Sequence, residues 1–180
     1  KNILNKKLNA KFIFVSNNFR FGNKREGNVK QLVKYENIYN YKIIKPQPLL
    51  IREKIISSTL IRNFLQNGKL NKANRLLNRN WSIVGKVQKG RQQGKKFGFP
   101  TANIDIKDYV IAKPGVYAVK VKIQKNNKSI KGIANLGYRP TFKQDKILLE
   151  VHLFNFSGNL YNKYLTVDFM KFIRKEIKFK

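Results

Sequence analysis

Hydrophobic and polar positions follow two different rhythms along this chain. Residues 11–15 (Lys-Phe-Ile-Phe-Val) form a short apolar run closed by Ser16-Asn17-Asn18, the pattern of a buried strand entering a loop. Asn18–Asn28 sets Gly22 and Gly27 among Arg20, Lys24 and Arg25 and reads as a flexible basic loop. Val29–Tyr35 reads as a helix and Tyr41–Ile44 as a strand, after which Pro46 and Pro48 break the pattern. Ser57-Ser58-Thr59 precedes Leu60, Ile61, Phe64 and Leu65. Hydroxyl residues ahead of that spacing mark a helix N-terminus, and Asn67-Gly68 marks its end. Leu70, Ala73, Leu76 and Leu77 share one face of a second helix, so the two form a helical hairpin.

After Trp81 the rhythm becomes that of strands. Ile83–Val87, Val116–Ile123, Ile130–Leu136, Ile147–Phe156 and Leu165–Phe172 are β-prone, and Asn126-Asn127 makes a turn. Short strands at this spacing predict an antiparallel sheet or closed barrel. The boundary between the two rhythms lies near residue 80. Arg174–Lys180 reads as the start of a helix.

Composition narrows the function classes. The chain has 180 residues, 42% hydrophobic and 12% aromatic, enough for a real core. It has no Cys and one His, which excludes a disulfide framework and a His- or thiolate-rich metal centre. No apolar run approaches the roughly 18 residues of a membrane span, and no secretory signal is visible, so a cytoplasmic protein is expected. With 39 Lys+Arg against 9 Asp+Glu, the net charge is +30. Such charge invites a nucleic-acid reading. Yet the lysines are scattered from Lys1 to Lys180 without a concentrated tail. The field would in either case attract anionic small molecules.

The most informative stretch is Gly85–Asn103. Gly85, Gly90, Gly94 and Gly98, with Arg91, Lys95 and Lys96 between them, give a basic loop whose backbone N–H groups can approach a phosphate. It lacks P-loop spacing. Thr101 and Asn103 are two residues apart and share one side of an extended segment. A hydroxyl and an amide oxygen are suitable hard ligands for Mg²⁺ beside nucleotide phosphates, or simply satisfy a turn. Glu150 sits between Leu149 and Val151 in a strand pattern. A carboxylate there could take a proton from a hydroxyl attacking a phosphate, or pair with a lysine. His152 shares its face, in a structural hydrogen-bonding role.

Together these residues resemble the bacterial bifunctional riboflavin kinase/FAD synthetase family. The resemblance runs through Gly98-Phe-Pro-Thr-Ala-Asn-Ile104, Pro114-Gly-Val-Tyr-Ala118, Gly132-Ile-Ala-Asn-Leu-Gly137, Arg139-Pro-Thr-Phe142, Leu149-Glu-Val-His-Leu153 and Gly158-Asn-Leu-Tyr161. In the first half, Phe19-Arg-Phe-Gly22, Arg25-Glu-Gly27 and Ile56–Arg62 look like the later motifs of the family's adenylyltransferase domain. Its first nucleotide motif, G-x-F-D-G-x-H-x-G-H, has no counterpart here, and the chain reads as beginning after it.

The resemblance implies an α+β chain. Residues 81–180 would be a riboflavin kinase domain, a six-stranded antiparallel β-barrel. Residues 1–80 would be part of an α/β, Rossmann-like nucleotidyltransferase domain ending in the helical hairpin. The implied reaction moves the γ-phosphate of ATP to the 5′-hydroxyl of riboflavin, with ATP, Mg²⁺ and riboflavin or FMN as partners. FAD synthesis is implied for the full-length parent and is not expected of this chain. Carried across, Glu150 would be the general base, and Thr101 and Asn103 would bind Mg²⁺ and ATP phosphate. Gly90, Arg91, Gly94, Lys95 and Lys96 would cover the phosphates, and Arg174 would help close the flavin side. Ser57, Ser58, Thr59 and Arg62 would be the adenylyltransferase remnant, holding phosphate at a helix N-terminus.

The loop before Phe19 reads Ser16-Asn17-Asn18 where the family usually has Gly and Asp, and the chain departs from the family in two further places. Asn155-Phe-Ser-Gly-Asn159-Leu-Tyr-Asn162 stands where the family usually has Asp-x-x-Gly-Asp-Leu-Tyr-Gly, and Leu77-Asn-Arg-Asn-Trp81 replaces Leu-Gly-Arg-Pro-Tyr. The first is read as a tight turn in which Asn can replace Asp. The alternative function is a basic nucleic-acid-binding β-barrel without catalysis. That would need aromatics such as Phe12, Tyr117 or Phe142 exposed beside a lysine stripe. No nucleic-acid or membrane partner is expected.

Overall fold

The computed structural model describes residues 2–51, 54–90, 98–107, 109–124, 128–139 and 146–177. The chain divides into two compact units, Lys1–Ile56 and Ser57–Lys180.

The first unit is a small α/β segment. A turn of π-helix at Asn2–Lys7 precedes β1 (Phe12–Phe14). A short ribbon follows, β2 (Arg20–Phe21) and β3 (Gly27–Asn28), where the sequence suggested only a loop. Helices α1 (Val29–Lys34) and α2 (Glu36–Tyr39) then lead to β4 (Lys42–Ile44). β1 and β4 pair in parallel, with Ile13 opposite Ile43. Parallel neighbours need a crossover, and the two helices supply it. Asn28 starts α1 with a capping box: its Oδ1 accepts from the Gln31 N–H at 3.1 Å, and Gln31 Oε1 accepts from the Asn28 N–H at 3.0 Å. Val15, Val29, Leu32, Tyr41 and Ile43 form the core. The Tyr41 hydroxyl donates to the Leu32 carbonyl at 2.7 Å, and burial raises the phenol's pKa. A minimal hairpin, β5 (Leu50–Ile51) and β6 (Lys54–Ile55), follows.

The second unit opens with the expected helical hairpin, α3 (Ser58–Gln66) and α4 (Leu70–Leu77). Six strands follow: β7 (Ser82–Gln88), β8 (Ala102–Asp105), β9 (Gly115–Ile123), β10 (Ser129–Arg139), β11 (Lys146–Leu153) and β12 (Tyr164–Arg174). They close into a barrel in the order β10-β11-β8-β7-β12-β9, with every neighbouring pair antiparallel. Closure leaves no unpaired edge. Alternate residues fill the interior, among them Ile83, Ile104, Tyr117, Leu136, Leu149, Leu165 and Phe169, all fully buried. Deep burial pushes the Tyr117 phenol pKa far up, and its hydroxyl donates to the Lys113 carbonyl. β8 is the strand that apolar patterning does not pick out, because it is four residues long and half polar. Lys175–Ile177 form no helix, and residues 178–180 lie outside the described residues.

The hairpin shares the barrel's core through Leu65, Leu70 and Ala73 and is pinned to it by a polar side chain. Asn74 of α4 accepts from the Trp81 N–H at 2.8 Å and donates to the Phe169 carbonyl at 3.0 Å. The Trp81 and Phe169 rings meet at 4.5 Å between centroids. The compact unit therefore starts at Ser57, ahead of the change of rhythm near residue 80. Of the aromatics that nucleic-acid binding would require, Tyr117 is in the barrel core. Phe12 is exposed in the first unit, and Phe142 lies outside the described residues.

Asn78 ends α4 in the left-handed conformation, φ 52°. This is where the family's linker has Gly, and Asn is the side chain that best tolerates that region. Asn78→Ala is expected to destabilise the barrel unit by about 1 kcal/mol, whereas Asn78→Gly leaves it unchanged or slightly stabilised. Urea denaturation of both variants checks this.

Candidate active site

Strand pairing draws one row of residues across the barrel. Gln88 pairs with Asn103, Asn103 with Glu150, Glu150 with Asn135, Asn135 with Val116, and Val116 with Arg174. The residues on either side of the row in β8, β10 and β11 fill the interior: Ala102, Ile104, Ala134, Leu136, Leu149 and Val151. The row therefore faces outward. Directly opposed residues have Cβ atoms roughly 4.5–5.5 Å apart, so Glu150 lies between two amide side chains.

Asn103 is only 7% exposed although it faces out. Gly90, just after β7, lies against it. A Cβ on Gly90 would sit 2.2 Å from Asn103 Nδ2, so only glycine lets the backbone come this close. Asn103 Oδ1 is buried with no hydrogen-bond partner among the described residues. An orphaned buried acceptor costs about 1–3 kcal/mol and calls for a donor or a cation.

Thr101, two residues earlier, is exposed at the rim of a pocket of about 500 Å³. Val87, Val151 and Leu153 of the barrel and the turn at 156–161 form the other walls. Hydroxyl and amide oxygens suit a hard cation. Among the described residues, no cluster of three His, Cys, Asp or Glu side chains could hold a metal. A divalent cation at this place would thus rest on the neutral Thr101 and Asn103 oxygens, with ligand phosphates supplying the negative charge that a hard cation needs. The donor set fits that ion.

His152 works as the sequence suggested. Its Nδ1 lies 2.9 Å from the Pro100 carbonyl, and its ring meets Phe99 and Phe154 edge-on at 5.5 and 5.8 Å. These contacts fix the backbone immediately ahead of Thr101.

The other expected residues are more scattered. Arg91, Gly94, Lys95 and Lys96 lie outside the described residues. Arg174 ends β12, three strands from Glu150 along the row, or roughly 14 Å at the usual strand spacing. Its Nη1 donates to the Lys175 carbonyl at 3.0 Å. Ser57 caps α3, its Oγ accepting from the Leu60 N–H at 3.2 Å. Ser58, Thr59 and Arg62 are exposed on the first turn and a half of that helix.

Asparagines shape the substituted turn. Asn155 and Asn162 have φ of 52° and 63°, and Asn159 Oδ1 accepts from the Tyr161 N–H at 2.9 Å. Sequence reasoning missed Asn135, the cross-strand partner of Glu150, and Glu176, which Asn135 contacts. Asn135 Nδ2 donates to Glu176 Oε1 at 2.7 Å. Asn135 is a polar residue in an apolar strand, which is a visible signal. Only the register shows that it faces Glu150.

The site is thus a closed six-stranded barrel with an amide-flanked carboxylate on its outer face and a glycine-bearing segment laid against one of the amides. The riboflavin kinase family model matches residues 77–180, and the FAD synthetase model matches residues 1–60. The chain belongs to the bacterial bifunctional riboflavin kinase/FMN adenylyltransferase family.

Among relatives of that description, the protein of Buchnera aphidicola subsp. Schizaphis graminum is 46% identical over 99% of this chain and 58% of its own length. That of Haemophilus influenzae is 41% identical over 96% and 56%. That of Escherichia coli K12 is 38% identical over 98% and 56%. The chain thus spans less than two thirds of these curated relatives.

A solved structure described as a macrolide-efflux protein from Streptococcus pneumoniae overlays with a TM-score of 0.74 at 30% identity. The overlay covers 97% of this chain and 56% of that one. The efflux description stays with that protein. Among the described residues here, no helix is long and apolar enough to cross a membrane.

Gly90→Ala forces the Asn103 amide to move. It is expected to weaken Mg²⁺–ATP binding about tenfold by calorimetry with the melting temperature little changed. Unaltered affinity would show that Asn103 does not face the nucleotide.

Proposed function

We propose that residues 81–180 act as a riboflavin kinase, transferring the γ-phosphate of ATP to the riboflavin 5′-hydroxyl to give FMN and ADP. The observation that carries this reading is the position of Glu150, paired across the sheet with Asn103 on one side and Asn135 on the other. In the proposed step, Glu150 accepts the proton of the 5′-hydroxyl as its oxygen bonds to the γ-phosphorus. The bond from that phosphorus to the β–γ bridging oxygen breaks, and ADP leaves with that electron pair.

Thr101 and Asn103 would hold Mg²⁺, which when bound neutralises charge on the transferring phosphate. Gly90, with Arg91, Gly94, Lys95 and Lys96, would cover the phosphates, and Arg174 would lie toward the flavin. Most of the acceleration in such a reaction comes from positioning and charge stabilisation, with a smaller factor from the base. We assign residues 1–80 to the adenylyltransferase side of the family's bifunctional architecture. There, Ser57, Ser58, Thr59 and Arg62 would serve the adenylylation of FMN.

The chain incubated with riboflavin, ATP and Mg²⁺ is expected to form FMN, read by chromatography. Glu150→Gln should lower turnover by about 10²-fold or more. Absence of FMN with the unaltered chain would refute the kinase reading, and a normal rate in the variant would remove Glu150 from the chemistry. With FMN and ATP, the chain is expected to make no FAD.

A further inference from the structure

The row on the outer face continues past Glu150 to a pair that the kinase reading has not used. Asn135 is the direct cross-strand partner of Glu150 on β10. Its Nδ2 donates to Glu176 Oε1 at 2.7 Å across 41 positions of sequence. A carboxylate can only accept, so this bond settles which end of the amide is which. The carbonyl end, Oδ1, is then left buried with no hydrogen-bond partner among the described residues. Gly137, two residues along the same strand, makes the seat for Glu176. A Cβ there would lie 2.0 Å from Glu176 Oε1. The segment after β12 is thus laid on β10 by two contacts, one with Asn135 and one over Gly137.

A buried acceptor without a donor is unfavourable unless something else brings the donor. Asn103 Oδ1 is orphaned in the same way on the opposite side of Glu150. The two amides differ in their surroundings. Asn103 lies against Gly90 at the end of β7, next to the pocket rim. Asn135 is covered by a carboxylate, which repels phosphate and tolerates a neutral hydroxyl. Asn135 therefore suits the acceptor substrate and not the nucleotide.

We propose that Asn135 Oδ1 accepts a hydrogen bond from the substrate hydroxyl next to the one that reacts at Glu150, and that Glu176 is the positioning residue that turns the amide to do so. The inference rests on the proposed kinase reaction and makes it specific: the acceptor must be a polyol with neighbouring hydroxyls. In riboflavin the hydroxyl beside the reacting 5′ position is the 4′-hydroxyl.

The test compares riboflavin with 4′-deoxyriboflavin, using flavin fluorescence for affinity and phosphate transfer for turnover. The unaltered chain is expected to bind the deoxy compound about tenfold more weakly. Asn135→Ala should weaken riboflavin by a similar factor while leaving affinity for the deoxy compound unchanged, so that discrimination disappears. Glu176→Ala should remove most of the discrimination, and Glu176→Gln, which keeps an acceptor oxygen, should restore most of it. The double variant should be no worse than Asn135→Ala alone.

Equal losses on both flavins in Asn135→Ala would mean a merely structural role and overturn the inference. So would undiminished discrimination in that variant, or additive losses in the double variant. If the unaltered chain discriminates between the flavins but transfers no phosphate, the kinase reading fails alone. If it transfers phosphate but does not discriminate, this inference fails alone. If it binds neither flavin, both fail.

Discussion

Strand register is the constraint on which the rest of this protein depends. The pairing of Glu150 with Asn103 and Asn135 places three polar side chains on the outside of the barrel and Leu149, Val151, Ile104 and Leu136 within it. A slip of one residue in β11 would exchange Glu150 for Leu149, burying a carboxylate and exposing a leucine at once. Both halves of that exchange are unfavourable, so the core itself enforces the site's geometry. Closure adds to this. Each of the six strands is held on both sides, so no strand can shift without breaking two ladders.

Asparagine does much of the local shaping. Asn9, Asn40, Asn78, Asn155 and Asn162 all sit at φ between 44° and 63°, the left-handed region that L side chains usually avoid. Asn is tolerated there because its short amide bonds locally. This explains why the chain can carry Asn78 and Asn162 where its family usually has Gly. The same amide does different work elsewhere. Asn28 caps α1, Asn74 ties α4 to the barrel, and Asn159 closes the turn before β12. An Asn-rich composition that looks like background is therefore partly structural. The lysines are different: their spread along the chain agrees with a general basic surface.

Alternation made Glu150 legible in the sequence, because a single acid flanked by Leu149 and Val151 can only face away from a barrel core. The helical hairpin was legible from Leu70, Ala73 and Leu77 at helical spacing. Its attachment was not. Asn74 lies on an amphipathic helix and reads as surface, yet it bridges Trp81 and Phe169. β8 escaped apolar patterning because Asn103 and Asp105 interrupt it, and its strand character comes from neighbours distant in sequence. The expectation of a helix after Arg174 overlooked what the segment rests on. Lys175–Ile177 carry no helix, while Glu176 reaches Asn135. Contacts across 41 residues have no periodic signature in a single chain.

The division between inside and outside has a functional consequence. Side chains of the interior, such as Phe169 between Trp81 and Tyr117, set stability through packing and never reach the outer face. Substitutions at Glu150 or Asn135 thus change a half-buried polar group on the outer side of a closed barrel and leave its interior filled. Asn103 is more enclosed than either: Gly90 lies against it and it is 7% exposed. Its oxygen, without a hydrogen-bond partner among the described residues, is a local destabilisation set beside a filled six-stranded core. A binding cation or donor would relieve that destabilisation, so ligand binding at Asn103 should stabilise the folded barrel as well as prepare it for reaction.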